Sequence, residues 1–334
     1  MTSSATRWRT VFRTPLGEAV LGDCADALAG FPDEGVDLVI TSPPFALLRQ
    51  KEYGNADQGE YVDWLCGFAA AVRRVLKPTG SYVLDLGGAY RRGRPTRSLC
   101  PFRVLLRHVD EAGFHLAQEF FWHNPSKLPS PIEWVNKRKL RAKDTVNTVW
   151  WLSKTEWPKA DVSRVLVPYS PRMKLLLQDP DGFYRPKARP SGHSVSRGFA
   201  KDNGGAIPSN LLQIPNTESN GDYLRLCKEV GVSPHPARFP RALPEFFIQF
   251  LTDPGDSVVD IFAGSGTTAE AAERLDRAWT TIDIDPSYVR GSALRFLADR
   301  DPAEIRNVLA QIDAGSCPRI EPVQRDLFQS RARS

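Results

Sequence analysis

The chain has little that would tie it to an oxidising compartment, a membrane or a metal. Its 334 residues include only five cysteines: Cys24, Cys66, Cys100, Cys227 and Cys317. They are scattered and odd in number, and none stands in a C-x-x-C pair, which argues against a disulfide framework or a zinc site and for a reducing cytosol. No run reaches the ~20 apolar residues that a membrane span requires. Met1–Arg13 is polar and basic with no apolar centre, unlike a secretory signal. These absences predict a cytoplasmic protein with no membrane partner. His108, His115, His123 and His193 show no metal-ligand spacing, so no metal is expected. No internal repeat is present. Charge of one sign is not in large excess either: the net charge is +5. Any case for nucleic acid must therefore rest on where the basic residues stand.

What is present is ordinary in bulk and specific in places. Hydrophobic residues make up 41% and charged residues 25%, as in a soluble globular protein of one large domain or two smaller ones. The organising stretch is Leu38-Val39-Ile40-Thr41-Ser42-Pro43-Pro44-Phe45. Its apolar half reads as a parallel strand covered on both faces. Pro43 and Pro44 fix their own φ and hold Ser42 and Pro43 extended. The Ser42 hydroxyl and Pro43 carbonyl are then offered at the carboxyl end of a strand, where open α/β sheets bind ligands. Phe45 adds a flat apolar face. A planar group carrying an amino nitrogen suits this arrangement; the plain alternative is a strand exit with a proline stop.

In chain order, residues 1–15 read as a flexible start. Strands are expected at Val20–Asp23, Val36–Ile40, Ser81–Leu86, Phe114–Trp122, Thr145–Ser153, Ser257–Phe262 and Trp279–Ile284. Helical spacing marks Tyr61–Leu76, Phe102–Ala112, Leu243–Leu251, the segment following Ala263–Thr268 as far as Leu275, and Tyr288–Ala298. Alternation of helix and strand predicts a mostly parallel α/β sheet. Arg49–Gly59, polar and glycine-containing, reads as a mobile flap beside the site. From 154 to 234 the periodicity fades and Pro, Gly, Ser and Asn become frequent among Arg and Lys, as in a long functional insertion.

A second motif, Asp260-Ile261-Phe262-Ala263-Gly264-Ser265-Gly266-Thr267-Thr268, sits at a strand-to-helix junction. Its glycines permit a tight turn and close approach of a ligand. The third glycine of the dinucleotide fingerprint is missing and no P-loop lysine follows. That disfavours a nicotinamide dehydrogenase and a nucleoside triphosphate. Asp283, at the end of the next strand, stands at the ~20-residue distance of an acid that holds a ribose hydroxyl pair.

Together these motifs resemble the β group of cytosine-N4 DNA methyltransferases. Thr41-Ser42-Pro43-Pro44-Phe45 is similar to their catalytic motif, and Asp260–Thr268 to their S-adenosylmethionine motif. Gly22-Asp23 resembles a pair near the cofactor's adenine, and His235-Pro236-Ala237-Arg238-Phe239-Pro240 a segment flanking its methionine end. The resemblance runs from about Pro15 to Ala298, with the catalytic loop first, the recognition region second and the cofactor loop last. Asn124–Lys139, Val146–Pro158 and Lys201–Gly205 are similar to members that serve restriction–modification systems.

The resemblance implies a Rossmann-like α/β fold with a mixed, mostly parallel seven-stranded sheet and permuted motif order. It implies a catalytic domain in two parts, 15–153 (catalytic loop 41–45) and 235–300, around a target-recognition region at 154–234, with a tail at 301–334. Ser42, Pro43, Pro44 and Phe45 are the expected catalytic residues. Asp23, His235, Arg238, Phe239, Asp260, Phe262, Ala263, Gly264, Ser265, Gly266, Thr267, Thr268 and Asp283 are expected to bind S-adenosylmethionine. Tyr53, Arg91, Arg92, Lys137, Arg138, Lys139, Arg185, Lys187 and Arg189 are candidates for DNA contact. The implied partner is double-stranded DNA in a bacterial cytoplasm, with a cognate restriction endonuclease by genetic pairing. Monomer and homodimer both stay open. An adenine-N6 DNA methyltransferase and a non-catalytic DNA-binding protein of the same fold are the alternatives. Transfer to cytosine C5 would use a Pro-Cys thiolate, and here Cys100-Pro101 and Cys317-Pro318 run the other way.

Overall fold

The computed structural model describes residues 8–45, 58–91, 93–183, 201–217 and 221–321. Among the described residues nine strands form one sheet: β1 (Trp8–Arg13), β2 (Gly17–Gly22), β3 (Val36–Thr41), β4 (Leu76–Leu86), β5 (His115–His123), β6 (Val146–Ser153), β7 (Leu211–Gln213), β8 (Ser257–Asp260) and β9 (Ala278–Asp283). Their order is β1-β2-β9-β8-β3-β4-β6-β5-β7. The run from β2 through β9, β8 and β3 to β4 is parallel throughout. β6 is antiparallel to both β4 and β5, and β1 is antiparallel to β2.

Seven of these strands are the expected ones; the count of seven is corrected by the two at the sheet edges. β1 falls in the segment expected as a loose start, because its apolar residues do not alternate. A bulge between Thr10 and Phe12 explains this, since Val11 and Phe12 are neighbours in sequence yet both buried. β7 has only three residues, too few to show a period.

The central strand β3 is buried along its whole length. Leu38 and Ile40 pack on one face of the sheet with Phe247 and Ile248 of helix Ala242–Leu251 and Ala269 and Ala272 of helix Thr267–Arg274. Val39 packs on the other face with Leu65 and Val72. A parallel strand covered by helices on both sides needs this near-continuous apolar run. The single helix expected at Tyr61–Leu76 is two, Gln58–Cys66 and Ala69–Val75, parted at Gly67. β4 then begins at Leu76. Lys77–Gly80 bulges within its ladder, which passes from Val36↔Leu76 to Leu38↔Ser81. The expected flap, Arg49–Gly59, lies outside the described residues except for its last two.

Between residues 154 and 234 the described segments are short: a 3-10 turn at Val162–Val165, helices Pro171–Gln178 and Pro180–Phe183, β7, and helix Asp222–Val230. The last of these is built into the core through Tyr223, Leu226 and Cys227. At the opposite edge the Arg13 amide donates to the Pro318 carbonyl at 3.0 Å, and the Ile320 amide donates to the Arg13 carbonyl at 2.7 Å. Among the described residues no helix is long and apolar enough to cross a membrane.

The parallel run has one consequence for chemistry. The carboxyl ends of β2, β9, β8, β3 and β4 all open on the same side of the sheet, and the antiparallel β6 starts there.

Candidate active site

Strand pairing brings the serine of the diproline loop level with an acid. Thr41 is the partner of Leu84, so the next residues along, Ser42 and Asp85, face each other. Ser42 Oγ donates to Asp85 Oδ2 at 3.0 Å, and Asn147 Nδ2, from the start of β6, donates to Asp85 Oδ1 at 3.3 Å. Asp85 is buried. Burial pushes its carboxyl up to about 6, with the Ser42 and Asn147 donors and the nearby Lys127 ammonium pulling the other way. Phe45 lies over Gly87, where a Cβ would stand 2.4 Å from the ring. Asp85 is not among the expected site residues; its one signal in the sequence is an acid set within the apolar strand end Tyr82-Val83-Leu84-Asp85-Leu86.

The glycine turn rises from the adjacent strand. Gly264 has φ +49° and Gly266 φ +72°, the left-handed region that glycine tolerates. The Gly264 amide donates to Asp283 Oδ2 at 2.7 Å, while Asp283 Oδ1 accepts from the Asp285 amide at 2.9 Å. Burial pushes the Asp283 carboxyl up to about 6 despite these two amides. A Cβ on Gly264 would come within 3.1 Å of the His235 ring. That ring packs edge-on against Tyr288 with centroids 4.2 Å apart. Arg238 donates to the His235 carbonyl. Asp23 caps helix Cys24–Ala29, its carboxylate accepting from the Ala25 amide at 2.8 Å.

Both loops open into one cavity of about 680 Å³. Ser42, Pro43, Pro44 and Phe45 line it. So do Asp23, His235, Arg238 and Phe239, together with Phe262, Ala263, Gly264, Ser265, Thr267 and Asp283. Asp260, Gly266 and Thr268 stand behind the wall. Asp260 is buried and accepts from Thr41 Oγ1 and Thr268 Oγ1, each at 2.6 Å, and from the Phe262 amide at 3.1 Å. One carboxylate thus ties the strand of the diproline loop to the helix of the glycine turn. Trp64, Phe68, Trp122, Asn124, Lys127, Asn147 and Asn216 also line the cavity and were not among the expected site residues. Phe262 packs against Trp64 and Phe68 at 5.4 and 5.5 Å. Among the described residues no group of His, Cys, Asp and Glu could hold a metal ion.

The basic candidates among the described residues lie apart from this cavity. Arg91, Lys137, Arg138 and Lys139 are exposed, and none lines it. Lys137 and Arg138 share Glu133 at 3.4 and 3.0 Å, and Arg138 lies over the Trp134 ring. Lys139 has φ +54°. Tyr53, Arg92, Arg185, Lys187 and Arg189 lie outside the described residues.

Comparison with known proteins places this geometry. The family described as DNA methylase matches residues 36–294. The type II methyltransferase M.PvuII of Proteus hauseri is 61% identical over 289 residues, which cover 86% of each chain. The solved structure of the PvuII DNA methyltransferase (cytosine-N4-specific) superposes with a TM-score of 0.77 at 49% identity, covering 94% of this chain and 99% of that one. A DNA modification methylase of Thermus thermophilus, solved with S-adenosyl-L-methionine, shares the fold at a TM-score of 0.52 and 19% identity, covering 94% of this chain and all of that one (100%). Sequence match, superposition and the two loops meeting in one cavity agree: the chain belongs to the DNA methylase family.

Proposed function

We propose that this chain transfers a methyl group from S-adenosylmethionine to the exocyclic N4 of a cytosine turned out of duplex DNA. The carrying observation is that the Ser42–Asp85 pair and the glycine turn open into the same cavity.

The cavity suits the cofactor. Gly264 leaves open a cradle that a side chain would narrow against His235. Asp283, recessed in the cavity wall, is the acceptor for the ribose hydroxyls, Asp23 lines the cavity where the adenine would lie, and Phe262 supplies an apolar wall. When bound, the cofactor supplies an electrophilic methyl on a sulfonium. His235, Arg238 and Phe239 line the cavity where its methionine end would lie.

The protein's own work is on the base. The cytosine amino nitrogen is a poor nucleophile because its lone pair is delocalised into the ring. Ser42 directs its hydrogen to Asp85, so its Oγ lone pairs are left to accept an amino hydrogen. The Pro43 carbonyl accepts the other, and the nitrogen lone pair is freed toward the methyl donor. Orientation of this kind can supply roughly 7–11 kcal/mol. As the nitrogen becomes cationic, its proton passes to Ser42 Oγ while Ser42 passes its own to Asp85 Oδ2. A carboxyl near 6 is ionised at neutral pH yet basic enough to take that proton. Phe45 stacks on the base, worth ~1–3 kcal/mol by analogy with single-strand binders. That offsets part of the few kcal/mol that extruding the base costs.

Residues 154–234 act as the target-recognition region, and the exposed Arg91 and Lys137–Lys139 contact phosphates. The setting is a bacterial restriction–modification system with a paired endonuclease gene and a cytoplasmic, nucleoid-bound enzyme. The test is expression in a host with unmodified DNA, followed by nucleoside mass spectrometry and modified-base sequencing. N4-methylcytosine at one short site supports the reading; N6-methyladenine or no new base overturns it.

A further inference from the structure

We propose that Lys127 donates a hydrogen bond to the O2 carbonyl of the extruded cytosine and so sets that base apart from adenine. The inference rests on the function proposed above and deepens it.

Lys127 sits in the proline-rich turn after β5, and its backbone is held in place. The Lys127 amide donates to the Asn124 carbonyl at 3.2 Å, and Lys143 Nζ donates to the Lys127 carbonyl at 3.3 Å. Asn124 Oδ1 accepts from the amides of Ser126 at 3.1 Å and Asn216 at 3.2 Å. This pins the turn to the chain that follows β7. The side chain is half-buried and lines the same cavity as Ser42, Asp85 and Asn147.

Its ammonium makes no hydrogen bond or ion pair among the described residues. Burial holds the ammonium below the ordinary lysine range; the Asp85 carboxylate favours its charge and the Arg97 guanidinium opposes it. A recessed cation without a direct partner is costly to keep, and an acceptor arriving with a ligand would relieve it. A phosphate is the weaker choice of acceptor. Lysines suited to phosphates here, Lys137 and Lys139, stand exposed on the basic stretch. Lys127 instead is set into the cavity wall.

The chemistry of the base selects the atom. With the amino group held by Ser42 and Pro43, the rest of the Watson–Crick edge faces the wall. Cytosine presents a ring nitrogen and then a carbonyl. Adenine presents a ring nitrogen and then C2–H. An ammonium is a donor only, so at the third position it is satisfied by cytosine and left unpaired by adenine. A site built to make a hydrogen bond rejects the analogue that cannot complete it.

The test uses the full chain and a duplex carrying the mapped site, with the target base either cytosine or 2-thiocytosine, whose sulfur is a poor acceptor. Wild type should lose about 10-fold or more in kcat/KM on the thio base. Lys127→Met should lose about 10- to 100-fold on cytosine and treat the two bases alike. Its calorimetric affinity for S-adenosylmethionine should match wild type, which shows that the variant is folded. Equal wild-type rates on both bases overturn the proposal. So does a Lys127→Met enzyme that keeps the wild-type ratio, since the lysine would then act on a phosphate or through Asp85. If Lys127→Met does not fold, the wild-type ratio decides alone. Absence of any N4-methylcytosine from the wild type would instead strike the functional reading.

Discussion

Ser42 Oγ lies 3.0 Å from Asp85 Oδ2, and the two residues reach each other from neighbouring parallel strands. Neither strand end makes the site alone. Asp85→Asn keeps the shape of the acid and removes its basicity, so kcat should fall about 10²- to 10⁴-fold, the usual range for a positioned proton acceptor. Ser42→Ala should also lower kcat far more than it weakens S-adenosylmethionine binding. Single-turnover kinetics beside calorimetric titration separate the two effects. Unchanged turnover in either variant would remove that residue from the mechanism.

The same pair sets an acid limb. Asp85 must be ionised to accept a proton, and its carboxyl stands at about 6, so kcat should rise with pH through about 6 and level off above it. Ser42→Ala removes a donor that favours ionisation, and the residual activity should show the limb displaced upward. Stability runs the other way. A carboxyl raised in the folded state contributes most below its unfolded value of 3.8 and loses that contribution as pH rises through about 6. Asp85→Asn should therefore lose less stability than wild type between about pH 4 and 6, as read in urea melts at each pH.

Gly266 cannot take a side chain cheaply. Its φ is +72°, and a Cβ there would lie 2.8 Å from the Ser292 Cβ. Gly266→Ala should cost about 1–3 kcal/mol of stability. It should also weaken cofactor binding by displacing the turn that carries Gly264. Denaturant melts and titration should move together; a stable variant with weakened binding would mean that the strain is absorbed locally in the loop.

Lys139 holds a left-handed conformation that costs a residue with a Cβ about 1 kcal/mol. A lysine kept there, exposed on the basic stretch, fits a DNA contact. Lys139→Gly should stabilise the fold by up to about 1 kcal/mol. It should also reduce the slope of log K against log salt by about 0.9, one phosphate contact. An unchanged slope would show that Lys139 touches no phosphate.

The sequence made the centre of this fold legible and its margins obscure. β3 and β8 are apolar runs that end in stiff or glycine-rich loops, and such local signals survive without any knowledge of packing. β1 was hidden because its bulge puts Val11 and Phe12 on the inside together. Asp85 was hidden for a different reason. An acid in a strand gains meaning only from the strand beside it, and the pairing of Thr41 with Leu84 is not written in either segment. Asp260 shows another limit of local signals. The motif points to a ligand contact, and the pairing of its carboxylate with Thr41 and Thr268 is visible only in the fold.

The hydrogen bonds that lay Arg13 beside Pro318 and Ile320 make the linear order of the motifs a matter of where the polypeptide is cut. Joining the chain near those two points with a short linker, and reopening it at an exposed loop between β6 and helix Ala242–Leu251, would set the glycine turn ahead of the serine–diproline loop. The sheet would be threaded in the same spatial order, and the cavity would keep the same walls. Motif order along the gene and motif arrangement in space are therefore separable properties of this architecture.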